Sequence, residues 1–127
     1  MPYEDLGILP PIITLGDTIL VPLQMDLTDL GIQKMQEEIL ELITRREVTK
    51  LIIDVRALDV IDSFLARMLV TTLKRASLMG VKGYLSGIKP HVAITLVYMG
   101  LQRLRLYDVE VIPRIDDVID LAKERKG

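Results

Sequence analysis

The chain contains no cysteine, which removes disulfides, thiolate nucleophiles and zinc–thiolate sites together. It contains no tryptophan either, and aromatic residues make up 4% of it, so the interior must be packed from Leu, Ile, Val and Met. Histidine occurs once, as His91, which leaves oxygen ligands as the main donors for any metal. Positive charge is not in excess. The 16 Lys+Arg against 18 Asp+Glu give a net charge of -2, so no broad positive field is available to attract nucleic acid. Long apolar runs are also missing, because Gly, Pro or a charged residue interrupts each one short of the roughly 20 residues needed to cross a bilayer. The opening MPYEDLGILPP lacks the basic-then-apolar order of a secretory signal. These absences lead to the expectation of a cytoplasmic protein with neither nucleic acid nor a membrane as partner.

What is present suits a folded domain. Hydrophobic residues are 50% of the chain and charged residues 27%, and 127 residues match one compact domain over residues 1–127. Ile12 to Leu23 places β-branched residues on both sides of Gly16-Asp17, which predicts two strands joined as a hairpin. From Thr28 the spacing changes: Ile32, Met35, Ile39 and Leu42 recur every three or four residues among Gln, Lys and Glu, predicting an amphipathic helix capped by Thr28 or Asp29. Lys50 to Val55 is a short continuous apolar run, as expected of a central strand covered on both faces by helices.

A second helix is predicted from about Ser63 to Met79, with Leu65, Met68, Leu69, Thr72, Ala76 and Met79 inward and Gly80 as its stop. Val81 to Ser86 reads as a strand weakened by Gly83 and ended by Gly87. Pro90 opens a third helix reaching about Met99, Leu106 to Ile112 supplies a last strand, and Pro113 to Lys126 a last helix with Ile115, Val118, Ile119 and Ala122 inward. Strand–helix–strand units demand right-handed parallel crossovers, whereas the opening hairpin is antiparallel. The predicted class is therefore α/β, a small mixed β-sheet of about five strands with about four helices.

Few residues offer catalytic chemistry. His91 stands beside Pro90 at a predicted helix start, and no local pattern supplies the oriented carboxylate of a triad, so it reads as a surface histidine. Asp116, Asp117 and Asp120 read as the solvated face of a helix, and the glycines at 80, 83 and 87 lack the spacing and the Lys-Ser/Thr ending of a phosphate loop. No cofactor, metal or catalytic residue is expected. Asp54, Asp59 and Asp62 do gather at the carboxyl end of the predicted central strand, where open α/β sheets bind ligands. They motivate one minor reading, a small hydrolase using Asp59 or Asp62.

The stretch DVIDSFLARM, Asp59 to Met68, concentrates the interest. Ser63 follows two aspartates and precedes a helix-forming run. Either Asp62 caps that helix and leaves the Ser63 hydroxyl projecting into solvent, or Ser63 is itself the cap. A phosphate on Ser63 would add about -1.5 to -2 charges at a helix N-terminus that tolerates them, with Arg67 one turn further on. A partner pressed on the same spot would instead face an unpaired dianion beside Asp59 and Asp62. The magnitudes favour a switch that acts on binding rather than on stability.

IIDVRALDVIDSFLARML and SLMGVKGYLSGIKPHVAITLVYMG resemble the STAS domain of anti-sigma-factor antagonists and, within it, single-domain stressosome scaffolds of the RsbS type. The general antagonist pattern continues Asp-Ser with Ser/Thr-Gly, whereas Asp62-Ser63 continues here with Phe64-Leu65-Ala66. The resemblance implies a STAS-like fold and a non-enzymatic scaffold that sequesters an RsbT-like serine/threonine kinase and releases it when Ser63 is phosphorylated. It implies a partner surface of Asp59, Asp62, Phe64 and Arg67, with Ser86 and Thr95 as secondary phosphorylation candidates. The implied partners are that kinase, larger RsbR-like STAS paralogues, further copies in dimers and a large assembly, and a PP2C-type phosphatase as eraser. Two alternatives stand beside it: a direct anti-sigma-factor antagonist, and a nucleotide or small-molecule sensor using Gly87-Ile88-Lys89 at the sheet end.

Overall fold

A computed structural model describes residues 9–113 together with 120 and 123. The opening hairpin forms as expected from β1 (Ile13–Leu15) and β2 (Thr18–Pro22), with Gly16 at φ +60° in the turn. Asp17 in that turn also reaches outward: its backbone oxygen accepts the Thr49 N–H at 2.8 Å and its carboxylate accepts the Thr49 hydroxyl, tying the hairpin to the start of the next strand. After α1 (Asp29–Arg45) the chain alternates β3 (Lys50–Asp54), α2 (Ser63–Leu78), β4 (Lys82–Ser86), α3 (Pro90–Tyr98), a 3-10 helix at Leu101–Leu106 and β5 (Val109–Ile112).

The sheet runs β1-β2-β3-β4-β5, antiparallel between β1 and β2 and parallel elsewhere, so β3 is central. Each parallel step is a crossover of the same hand, which sets α1, α2 and α3 side by side on one face, with α2 in the middle. The main core lies between these layers. Ile19, Val21, Leu51, Ile53 and Leu85 from the strands meet Met35, Ile39, Leu69, Leu73 and Leu96 from the helices, all fully buried. A smaller cluster of Ile52, Tyr84 and Ile112, with Leu20 against it, occupies the other face. All five residues of β3 are buried, as a covered central strand requires, but the described helices pack on one face only.

Inside the helical layer a polar link joins α1 to α2. Gln36 Nε2 donates to Thr72 Oγ1 at 2.8 Å, the Thr72 hydroxyl donates to Met68 O at 2.6 Å, and Arg75 donates to Gln36 Oε1 at 3.3 Å. At its ends the sheet is short-edged: β1 is three exposed residues preceded by Pro10-Pro11, and β5 is four residues followed by Pro113.

Several details differ from the periodicity. On α1 the lowest turn buries Ile43 and leaves Leu42 half-buried; on α2 Leu73 is fully buried whereas Met79 lies past the helix end and is 42% exposed. The predicted strand from Leu106 begins only at Val109, because Leu101–Leu106 continues as tight 3-10 turns after Gly100. Gly83 does not merely weaken β4: a Cβ there would meet Leu73 Cδ2 at 2.8 Å, so its bareness admits α2. The helix predicted over Pro113 to Lys126, with Ile115, Val118, Ile119 and Ala122, falls outside the described residues except for helical backbone at Asp120 and Lys123.

Candidate functional site

β3 delivers the chain to the carboxyl edge of the sheet, and residues 55–62 carry it back to the start of α2. The connection is anchored at both ends. Val55 N–H donates to Ser86 O at 2.9 Å, Leu58 N–H donates to Val55 O at 3.0 Å, and the Leu58 side chain is buried beneath the loop. Beyond that anchor Asp59 and Val60 are exposed.

The cap is Asp62. Its Oδ1 accepts the Leu65 N–H at 2.8 Å and its backbone oxygen accepts the Ala66 N–H at 3.1 Å. Ser63 is therefore the first helical residue, exposed, and no described residue hydrogen-bonds its hydroxyl. The helix needs nothing from that oxygen. It sits instead where unpaired N–H groups and the positive end of the helix dipole are concentrated, a setting in which an added anion is welcome. Phe64, the next residue, turns its ring partly into the core, and Arg67 is exposed one turn along the same helix.

Asp59 is held from the neighbouring loop. Lys89 Nζ donates to its Oδ1 at 2.7 Å, and this hydrogen bond, followed by the lysine's charge, holds the Asp59 carboxyl below its usual range. Lys89 stands at the N-cap position of α3, so the ion pair bridges the β3–α2 and β4–α3 connections. Gly87 brings those two segments together: at φ +75° a Cβ would lie 2.7 Å from Arg56 Cβ and 2.8 Å from Asp54 Oδ1. Asp54 itself is buried and accepts the Arg56 N–H at 3.1 Å. On the other side of the site a hollow of about 140 Å³ lies between the β2–α1 and β3–α2 loops, rimmed by exposed Met25 and Val60. Asp26, at φ +70°, forms part of its wall.

The structure thus brings Asp59, Asp62 and Ser63 together on one exposed ledge, with Phe64 beneath and Arg67 beyond. Asp59 and Asp62, considered for hydrolysis, and Asp54 near them are all engaged structurally, Asp59 in an ion pair, Asp62 in a helix cap and Asp54 in a buried loop contact. Of the residues considered for a nucleotide, Gly87 lies too close to Arg56 to admit a side chain and Lys89 is paired with Asp59. The secondary candidates lie apart. Ser86 closes β4 opposite Asp54, 1% exposed, with its hydroxyl shielded from solvent and unpartnered, so a kinase has no access to it in this conformation. Thr95 is half-buried on α3 and donates to His91 O at 3.3 Å. Sequence reasoning missed Met25 and the pairing of Lys89 with Asp59, since contacts between separate loops leave no local pattern; an Asp in a short loop was the one hint at the left-handed backbone of Asp26.

The chain is similar to known proteins over most of its length. Residues 10–118 match the STAS domain family. The RsbT co-antagonist protein RsbRC of Bacillus subtilis (strain 168) is 35% identical over 92 residues, 72% of this chain and 33% of the relative, so the chain spans about a third of the length of that protein. Among solved structures, Moorella thermoacetica RsbS in a serine-to-glutamate variant superposes with a TM-score of 0.74 at 36% identity, covering 89% of this chain and 96% of that one. A chain from the structure described as the molecular architecture of the stressosome, a signal integration and transduction hub, gives 0.69 at 37% identity, covering 90% and 100%. Matched by the family model over residues 10–118, the greater part of its length, the chain belongs to the STAS domain family.

Proposed function

We propose that the chain is a non-enzymatic scaffold of the stressosome type, which holds an RsbT-like serine/threonine kinase against the ledge around Ser63 and lets it go once that kinase has phosphorylated Ser63. The observation that carries this reading is the division of labour at the start of α2. Asp62 does the capping, so the Ser63 hydroxyl is exposed and structurally idle. An oxygen that the fold does not use can be esterified without cost to the fold.

The energetics separate the two effects. A phosphate at a helix N-terminus gains about 0.3–1 kcal/mol, so the domain keeps its stability. A docked partner covering the ledge must desolvate a dianion next to Asp59 and Asp62, a penalty of roughly several kcal/mol. Because about 1.4 kcal/mol is tenfold in affinity, that penalty ejects the partner. Met25 and Val60 at the rim supply the apolar contact that an unmodified ledge offers. In this reading longer RsbR-like paralogues co-assemble with the chain in the cytoplasm and a PP2C-type phosphatase resets Ser63. The similarity to RsbS and to the RsbT co-antagonists supports it.

The test is to incubate the chain with its cognate kinase and ATP and to map phosphate by mass spectrometry, then to measure kinase affinity for Ser63→Asp. Label on Ser63, and at least about tenfold weaker binding by the variant with its melting temperature unchanged, are expected. Label elsewhere, or a Ser63→Asp variant that holds the kinase as tightly as the parent, refutes the assignment.

A further inference from the structure

The flank of α2 that faces away from α1 carries a groove of about 300 Å³, closed on its other side by the 3-10 helix. Buried Leu104 lies at its base, while Arg67, Lys74 and Arg103 stand around it, and among the described residues no carboxylate lines it. Lys74 Nζ is held 5.5 Å from the centroid of the Tyr107 ring, which keeps its charge over the groove. None of the three cations forms an ion pair with a described carboxylate.

The matching acid is on the same molecule but out of reach. α1 exposes Glu37, Glu38 and Glu41, with Leu40 half-buried between Glu37 and Glu41 on the helix surface. Among these, only Glu41 has a described ion-pair partner, Arg45 at 3.0 Å, and that pair is exposed on both sides and weak. Because α2 separates α1 from the groove, the acidic ridge of one copy cannot enter its own basic groove. It can enter the groove of another.

We propose that the α1 ridge of one copy docks into the α2–3-10 groove of the next, with Leu40 as an apolar knob and Glu37 and Glu41 set toward Lys74 and Arg103. Glu37 and Glu41 are one turn apart, about 6 Å along the axis, so a single helix presents both carboxylates to the groove. The occupant is a second copy because the ridge and the groove are of opposite charge, unpaired with each other within the chain, and on opposite flanks of the helical layer. The contact is heterologous: each docked copy leaves one ridge and one groove free, so addition continues until a ring closes or a filament grows. It rests on the assembly part of the function proposed above, does not use Ser63, and shares with the ledge only Arg67, which stands beside the groove.

Sedimentation of the full chain at low and high salt tests this. At low salt the parent is expected to self-associate and at high salt to dissociate, since exposed charges are screened beyond about 8–10 Å at moderate ionic strength. Two double variants, Lys74→Glu with Arg103→Glu, and Glu37→Lys with Glu41→Lys, are each expected to weaken low-salt association about tenfold or more. Mixing the two restores it, because each then meets its opposite, and so does combining all four changes in one chain. Circular dichroism confirms that each variant is folded. Association unchanged in both double variants overturns this contact while leaving the assembly reading standing on another surface. A folded four-change chain that stays dissociated, or a parent that is monomeric at low salt, also overturns it.

Discussion

Replacing Gly87 by alanine tests how the two loops of the ledge are held together. Gly87 has φ +75°, and an added Cβ would fall 2.7 Å from Arg56 Cβ, 2.8 Å from Asp54 Oδ1 and 3.0 Å from Arg56 Cα. Two of these neighbours are backbone or next to it, so they yield only if the β3–α2 connection moves. The left-handed backbone costs an alanine about 1–2 kcal/mol, offset by about 0.4–1 kcal/mol from a stiffer unfolded chain. The overpacking adds about 1–3 kcal/mol. Gly16→Ala is the internal control: its φ of +60° carries the same backbone penalty, but no atom lies within 4 Å of the added Cβ. The contact should therefore appear as a difference of about 1–3 kcal/mol between the two variants. Urea denaturation with a common slope reads it directly, and the melting temperature of Gly87→Ala is expected to fall by on the order of 10 °C. Equal losses in the two variants would refute the close approach of these segments.

Further expectations concern the same region and the helical layer. Asp62→Ala removes the acceptor for Leu65 N–H and is expected to cost about 0.5–2 kcal/mol in chemical denaturation, with Asp62→Asn recovering most of it; an Asn variant no better than Ala would remove Asp62 from the capping role. Asp59 has a depressed carboxyl in the folded state, so the pairing with Lys89 contributes above its ordinary value of 3.8 and is lost as pH falls through the lower folded value. Carbon-detected NMR titration should find Asp59 titrating below 3.8 and rising toward it in Lys89→Met; an unmoved midpoint contradicts the pairing. Thr72→Val leaves buried Gln36 Nε2 without its acceptor and should cost about 1–3 kcal/mol, whereas Thr72→Ser should be nearly silent.

The elements that were legible in the sequence are those governed by local rules. The Gly16-Asp17 turn, the Thr28 start of α1, the Gly80 stop of α2 and the buried run of β3 follow from turn chemistry, capping and apolar spacing, and all appear where those rules put them. The inward face was less legible: Ile43 is buried where Leu42 is only half-buried, and Leu73 is fully buried whereas Met79 falls past the end of α2. The Leu101–Leu106 turns were hidden because short 3-10 segments have no periodicity long enough to read. At the site, the motif exposed Asp62 and Ser63 but left two capping arrangements open, which only the Leu65 N–H contact to Asp62 distinguishes. Ser86 illustrates the converse: named by the resemblance as a secondary phosphorylation candidate, it is enclosed by parallel neighbours on both sides.

The blunt ends of the sheet bear on how densely such chains can be crowded. A three-residue outer strand introduced by Pro10-Pro11, and a four-residue one terminated by Pro113, give an intruding backbone almost no ladder to extend. Neighbours must then recognise one another through side chains, whose pairing is reversible and can be tuned by charge, and a tightly clustered population is protected from knitting itself into fibrils.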